Sequence, residues 1–220
     1  ASESIQYSSA DSVDIIVPGV GAHGARPHMG RDPVYIASQI VTALQSIVSR
    51  EIEPLSPAVI TVGAFHSGTK HNIISDRADL QLTVRANDED TRAQLLAAIE
   101  RIAVNTGRAH GLPEEMPVQV AVSEGTPVTN NDPALARRLN AALQRDLGNE
   151  VLIPWQQRGM GAEDFAYFVA EEYGVPGYYF AVGGTPQAAF DAAAAGGPPV
   201  PSHHSPLFKI APRESVTLGT

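Results

Sequence analysis

Between residues 78 and 86, Ala78, Leu80, Leu82, Val84 and Ala86 alternate without a break with Asp79, Gln81, Thr83 and Arg85. Successive side chains of a strand point to opposite faces, so this register commits the segment to a β-strand with one dry and one wet face. A sheet with a dry face needs apolar helices laid upon it. The neighbouring segments supply them: Ala37, Ile40, Val41, Leu44, Ile47 and Val48 recur at helical spacing, as do Leu95, Leu96, Ile99, Ile102, Ala103 and Thr106. Val13, Ile15 and Val17 alternate, residues 58–65 read as a buried strand, and Val118, Val120 and Val122 mark another. The order from 13 to 123 is therefore βαββαβ. It predicts the split βαβ, ferredoxin-like arrangement, an antiparallel sheet with both helices on one face.

Local signals set the boundaries. Asp32-Pro33 places an N-cap before a first-turn proline, and the helix it opens is expected to stop near Arg50, before Pro54. After Gly125-Thr126-Pro127 the pattern resets, with a helix from Asp132-Pro133 through Leu147 closed by Gly148. Short pieces are expected around 151–155, 163–172 and 178–182, and a last helix from near Pro212. Ala188 to Pro201, rich in Ala, Gly and Pro, reads as a flexible surface loop.

The formal charge of −9, with no run of basic residues, argues against general affinity for nucleic acid, which depends on neutralising phosphates. A ferredoxin-like RNA binder would also need paired aromatics on its sheet, which this chain lacks. No apolar stretch approaches the roughly 18 residues of a membrane span, and Ala1 to Ala10 is too polar for a signal-peptide core. The absence of cysteine leaves the compartment open.

His204, in Ser202-His203-His204-Ser205-Pro206-Leu207-Phe208, stands nearly alone as a metal ligand. A divalent-metal site needs about three or four converging ligands, and the chain has no cysteine and no HxxxH or HExxH pair. Adjacent side chains on extended backbone point apart, so at most one of His203 and His204 is expected to ligate. His23 sits among Gly21, Ala22, Gly24 and Ala25, on an open loop where its imidazole could donate to a ligand or a developing oxyanion. A solvated histidine tying down its own turn fits the same residues. Asn72, in His71-Asn72-Ile73-Ile74-Ser75-Asp76, could offer a donor and an acceptor to a substrate, or simply shape its turn. Arg85 is expected in a surface ion pair with Asp79. Gly159-Met160-Gly161-Ala162-Glu163-Asp164-Phe165 sets two carboxylates between a glycine-rich turn and a helix. Asp164 is suited to cap that helix, and Glu163 could face a ligand, but the spacing makes neither carboxylate part of a pair that supports a general acid or base role.

In combination and in this order, Gly19-x-Gly-x-His23-Gly-Ala-Arg-Pro-His28, Gly68-Thr-Lys-His-Asn72-Ile-Ile-Ser-Asp76, Met160-Gly-Ala-Glu-Asp-Phe165 and His204-Ser-Pro-Leu-Phe208 resemble the M20 metallopeptidase/amidohydrolase family. The nearest match is the subgroup that hydrolyses N-acyl amino acids and indole-3-acetyl amino-acid conjugates. The resemblance implies a catalytic domain with a two-metal site, zinc or manganese, interrupted by an inserted ferredoxin-like lid that dimerises. Under it, residues 11–116 are the lid and 117–220 the C-terminal part of the α/β metallohydrolase catalytic domain, an α+β and α/β combination. His204 is then the metal ligand, His23 polarises the scissile carbonyl, Asn72 contacts substrate, and Gly161 and Glu163 line the pocket.

The family's segments bearing most metal ligands and the general-base glutamate have no counterpart here, and Ser75 stands where the family more often has proline. The expectation is a fragment of an enzyme that hydrolyses an N-acyl amino acid or peptide-like amide through metal-activated water, inactive alone and homodimeric through the lid. The alternative is a non-catalytic dimerisation or regulatory module on the same lid fold.

Overall fold

A computed structural model of the chain describes residues 3–153 and 156–219. Its first part runs β1 (Ile5–Tyr7), β2 (Ala10–Pro18), β3 (Ala22–His23), α1 (Pro33–Ser46), β4 (Ala58–Ser67), β5 (Ile73–Ile74), β6 (Arg77–Ala86), α2 (Glu89–Ala109) and β7 (Gln119–Thr126). The four long strands form one antiparallel sheet in the order β4-β6-β2-β7. With the connections through α1 and α2, this is the expected ferredoxin-like topology.

The central strands are the two whose apolar residues alternate without a break. Val13, Ile15 and Val17 of β2 and Ala78, Leu80, Leu82, Val84 and Ala86 of β6 are buried in one core. Ile36, Ala37, Ile40, Leu44 and Ile47 reach that core from the first helix, and Leu95, Ala98, Ile99 and Ala103 from α2. At roughly 1.5–3 kcal/mol for each fully buried large aliphatic side chain, this single-faced core dominates the stability of the sheet. β4 differs from the buried strand expected over 58–65. It pairs with β6 alone, so it is half-buried: Ala58, Ile60 and Val62 lean on the core while Phe65 is exposed.

The first helix is capped by the residue read from the sequence. Asp32 Oδ1 accepts from the backbone N–H of Val34 at 2.9 Å and of Tyr35 at 3.3 Å. Past α1 the helix widens into a π turn over Ile47–Glu51 and stops at Ile52, close to the expected end. Asp88 caps α2 by accepting from Thr91 N–H at 2.7 Å.

One buried ion pair ties these elements together. Asp11, with no exposed side-chain surface, accepts from Arg92 Nη2 at 2.7 Å and Nε at 2.9 Å. Arg92 Nη1 also donates to Glu89 Oε2 at 3.0 Å, and Glu89 Oε1 accepts from Val128 N–H at 2.8 Å. The Asp11 hydrogen bonds hold the guanidinium still further above its ordinary range, against the opposing effect of burial.

Contacts divide the chain into Ala1–Tyr179 and Phe180–Thr220. The first unit is completed by β8 (Thr129–Asn130), which pairs with β1, and by α3 (Pro133–Leu147). Asp132 caps α3 by accepting from Leu135 N–H at 2.7 Å, and Gly148 ends it at φ +99°, a conformation that glycine adopts at little cost. The piece expected at 151–155 includes Pro154 and Trp155, outside the described residues. Around 163–172 two 3-10 turns form, Asp164–Phe168 and Glu171–Tyr173, and 178–182 carries no strand.

In the second unit the alanine-rich segment is not the expected loop. Its first half folds as α4 (Gln187–Ala194), because alanine's helix propensity prevails over low complexity. Gln187 Nε2 donates to Asp191 Oδ1 one turn on, at 2.9 Å. α5 (Pro212–Gly219) follows where Pro212 suggested it, and Ser215 Oγ donates to Gly183 O at 3.1 Å. No helix of the described residues is long and apolar enough to cross a membrane.

Candidate functional site

β2 and β6 are neighbours, so the loop leaving one and the loop entering the other emerge at the same end of the sheet. They zip together: Gly19 N–H donates to Asp76 O at 2.7 Å, then β3 pairs with β5, His23 opposite Ile73. Gly24 N–H donates to Asn72 O at 2.8 Å. A Cβ on Gly24 would sit 3.1 Å from that oxygen, so the small residue allows the close approach. His23 and Asn72, 49 residues apart in sequence, thus meet on one strip of backbone, both exposed.

His23 Nδ1 accepts from Ala25 N–H at 3.0 Å. An accepting Nδ1 carries no proton, so in the neutral ring the proton is on Nε2, which faces away from that bond as a donor. The bond ties down the turn, as a solvated loop histidine would, and the same bond fixes the tautomer. Ser75 supports its own turn: its Oγ donates to Arg77 O at 3.1 Å and accepts from Arg77 N–H at 3.3 Å.

Gly161 and Glu163 lie at the other end of β6. Arg85 is not paired with Asp79, whose partner is Arg77 at 2.6 Å. Asp79 and Arg85 are six positions apart on a strand, roughly 20 Å, which no ion pair spans. Arg85 Nη1 instead donates to Met160 O at 2.6 Å. Ser8 N–H donates to Gly161 O at 2.8 Å. Asn87 Nδ2 donates to Gln157 Oε1 at 2.8 Å, and Gln157 Nε2 donates to Ser8 Oγ at 2.9 Å. The glycine-rich turn is therefore held from the sheet on both sides.

Glu163, not Asp164, caps the 3-10 turn. Its Oε1 accepts from Phe165 N–H at 3.4 Å, while Asp164 is the first residue of the turn itself. Glu163 Oε2 accepts from Tyr179 Oη at 3.2 Å. Burial first, then the Tyr7 and Glu163 side chains beside it, pushes the Tyr179 phenol up to about 12. Sequence reasoning missed Tyr179 and Arg85 in these roles, because nothing in their local spacing points to partners 16 and 75 residues away.

From Arg77 to Ala86, β6 rises over nine steps, roughly 30 Å at about 3.3 Å each. One copy of the chain therefore keeps the His23–Asn72 strip and the Gly161–Glu163 turn far apart.

His204 belongs to the second unit. It lies in a turn, and the rings of His203 and His204 stand 4.5 Å apart at 53°, closer than extended backbone would have allowed. Among the described residues no group of three or more His, Asp or Glu could hold a metal ion. Those residues do not by themselves make a divalent-metal site.

The family model described as the peptidase dimerisation domain matches residues 8–110. Over 163 residues the chain is 37% identical to hippurate hydrolase of Campylobacter jejuni, covering 73% of this chain and 41% of that protein. It is 35% identical over 171 residues to N-acetyldiaminopimelate deacetylase of Streptococcus pneumoniae, 77% of this chain and 44% of the other. It is 34% identical over 176 residues to thermostable carboxypeptidase 2 of Saccharolobus solfataricus, 80% and 42%. The chain spans about half the length, or less, of the curated relatives it matches. A solved structure of an aminohydrolase-type protein from methicillin-resistant Staphylococcus aureus superposes with a TM-score of 0.78 at 24% identity, covering 98% of this chain and 51% of that one. That likeness speaks for the fold.

Proposed function

Since the chain belongs to the M20 family, with residues 8–110 as its peptidase dimerisation domain, we propose that it is the lid and the C-terminal catalytic portion of a metal-dependent amidohydrolase. The substrate is an N-acyl amino acid or a peptide-like amide. Residues 11–116 act as the lid and 117–220 contribute to the catalytic domain, the remaining segments lying outside these 220 residues.

The observation that carries the reading is the fixed tautomer of His23 on the strip it shares with Asn72. Nε2–H is a donor held ready for the oxygen of a scissile carbonyl, a bond that strengthens as negative charge develops there. Asn72 offers an amide donor and acceptor to the rest of the substrate, and Gly161 and Glu163 line the pocket. Zinc or manganese would supply the activated water, with His204 as one ligand among others contributed from outside the chain.

The 30 Å scale of β6 (about nine residues at about 3.3 Å) also favours a homodimer, in which the His23–Asn72 strip of one copy serves the pocket of the other. β4, an edge strand with half-buried apolar residues, is available for pairing. The expected result of sedimentation is a dimer at micromolar concentration, and a monomer at high micromolar concentration would count against lid-mediated association.

The activity is tested by comparing the full-length gene product with the 220-residue chain on N-acetyl amino acids. The full-length protein is expected to turn over in a metal-dependent way; the chain alone is expected to be inactive and, in isothermal titration, to bind zinc or manganese weakly. A stoichiometric sub-micromolar site or turnover in the chain alone would defeat the reading. No hydrolysis by the full-length product would favour the non-catalytic module.

A further inference from the structure

Tyr179 is fixed beside Glu163 more firmly than a surface aromatic needs to be. Asn131 is buried at 2% exposure and spends both ends of its amide on the Tyr179 backbone. Its Oδ1 accepts from Tyr179 N–H at 2.5 Å and its Nδ2 donates to Tyr179 O at 3.0 Å. The ring is wedged edge-on to Tyr7 at 5.4 Å between centroids and tilted against Phe165 at 5.5 Å. With backbone and ring fixed, the hydroxyl is set beside Glu163 and donates to its Oε2 at 3.2 Å, with the Tyr7 side chain as its second polar neighbour.

Glu163 is held from its other side as well: Oε1 accepts from Phe165 N–H, and its own backbone O accepts from Thr129 Oγ1 at 3.3 Å. Each carboxylate oxygen therefore has one anchor and keeps a second lone pair free. Burying Asn131 to immobilise a tyrosine is wasteful unless the position of the phenol matters, because a buried amide must recover its lost hydration through these bonds.

We propose that Tyr179 is a positioning residue for Glu163: its phenol, set by Asn131 and by the Tyr7 and Phe165 rings, holds the carboxylate in one orientation so that the free lone pairs accept from a substrate N–H. The raised Tyr179 phenol agrees with a hydroxyl that stays protonated, and so stays a donor, across the whole working pH range. The role rests on the reading of Glu163 as part of the substrate pocket, and the test has one arm for each.

The first arm uses the 220-residue chain and ultraviolet resonance Raman, whose tyrosine Fermi doublet reports whether a phenol donates a strong hydrogen bond. Subtracting the Tyr179→Phe spectrum isolates Tyr179. A donor signature is expected, weakened in Glu163→Gln and in Asn131→Ala, and a signature unchanged in Glu163→Gln would overturn the positioning role. The second arm measures hydrolysis by the full-length enzyme. Tyr179→Phe is expected to lower kcat/KM roughly tenfold, the size of one charge-assisted hydrogen bond, with an unchanged melting temperature. In the Glu163→Gln background the same substitution should add little, since both act through one carboxylate. Full additivity would also overturn the role. A Glu163→Gln enzyme of normal turnover, with the Raman coupling intact, would instead remove Glu163 from the pocket.

Discussion

In the full-length enzyme, His23→Ala is expected to lower turnover about a hundredfold, on the order of 3 kcal/mol of transition-state stabilisation, while bound metal measured by elemental analysis stays the same. The expectation follows from the tautomer: with Nδ1 accepting from Ala25 N–H, the ring presents Nε2–H, and a donor is what a developing oxyanion requires. Loss of metal together with activity would move His23 into the coordination sphere, and near-normal turnover would return it to the turn it ties down. A mixed dimer adds a sharper test. Combining His23→Ala subunits with His204→Ala subunits should restore activity in mixed dimers if the strip of one copy serves the other, because one of the two sites is then intact. No recovery would mean that His23 acts within its own subunit.

The largest expected effect on stability lies at Arg92. Arg92→Ala leaves Asp11 buried without a cation, and breaking a buried pair from one side costs about 3–5 kcal/mol. The loss should appear as a lower guanidinium midpoint with an unchanged slope. Replacing Asp11 and Arg92 together by apolar residues of similar volume should cost much less, because no unpaired charge remains. The pair also explains Gly125: a Cβ there would lie 2.6 Å from Asp11 Oδ1 and 2.7 Å from Arg92 Nη2. A small loss for Arg92→Ala would mean that Asp11 finds water or another donor once the guanidinium is gone.

What the sequence determined by itself is whatever repeats or caps within a few residues. The two-residue period of 78–86, the helical spacing in α1 and α2, and Asp32 and Asp132 ahead of their prolines each fix a local conformation through neighbours on the same element. The βαββαβ order then leaves few ways to bury every apolar face. Alanine's propensity was equally legible over 187–194, and low complexity was the poorer guide there. The quoted motifs located His23, Asn72, Gly161, Glu163 and His204 as candidates, but they carried no information about distance.

Tertiary structure alone decided the rest, since those features depend on which segments become neighbours. β4 is half-buried because it falls at the sheet edge, a fact absent from its composition. Arg85 holds Met160 O, 75 residues away, because the end of β6 abuts the glycine-rich turn. Glu163 caps in place of Asp164 because the chain enters the 3-10 turn one residue earlier than the side-chain chemistry suggested. Side-chain contacts between distant segments obey no period, so pairings such as Tyr179 with Glu163 become visible only once the backbone has been folded around them.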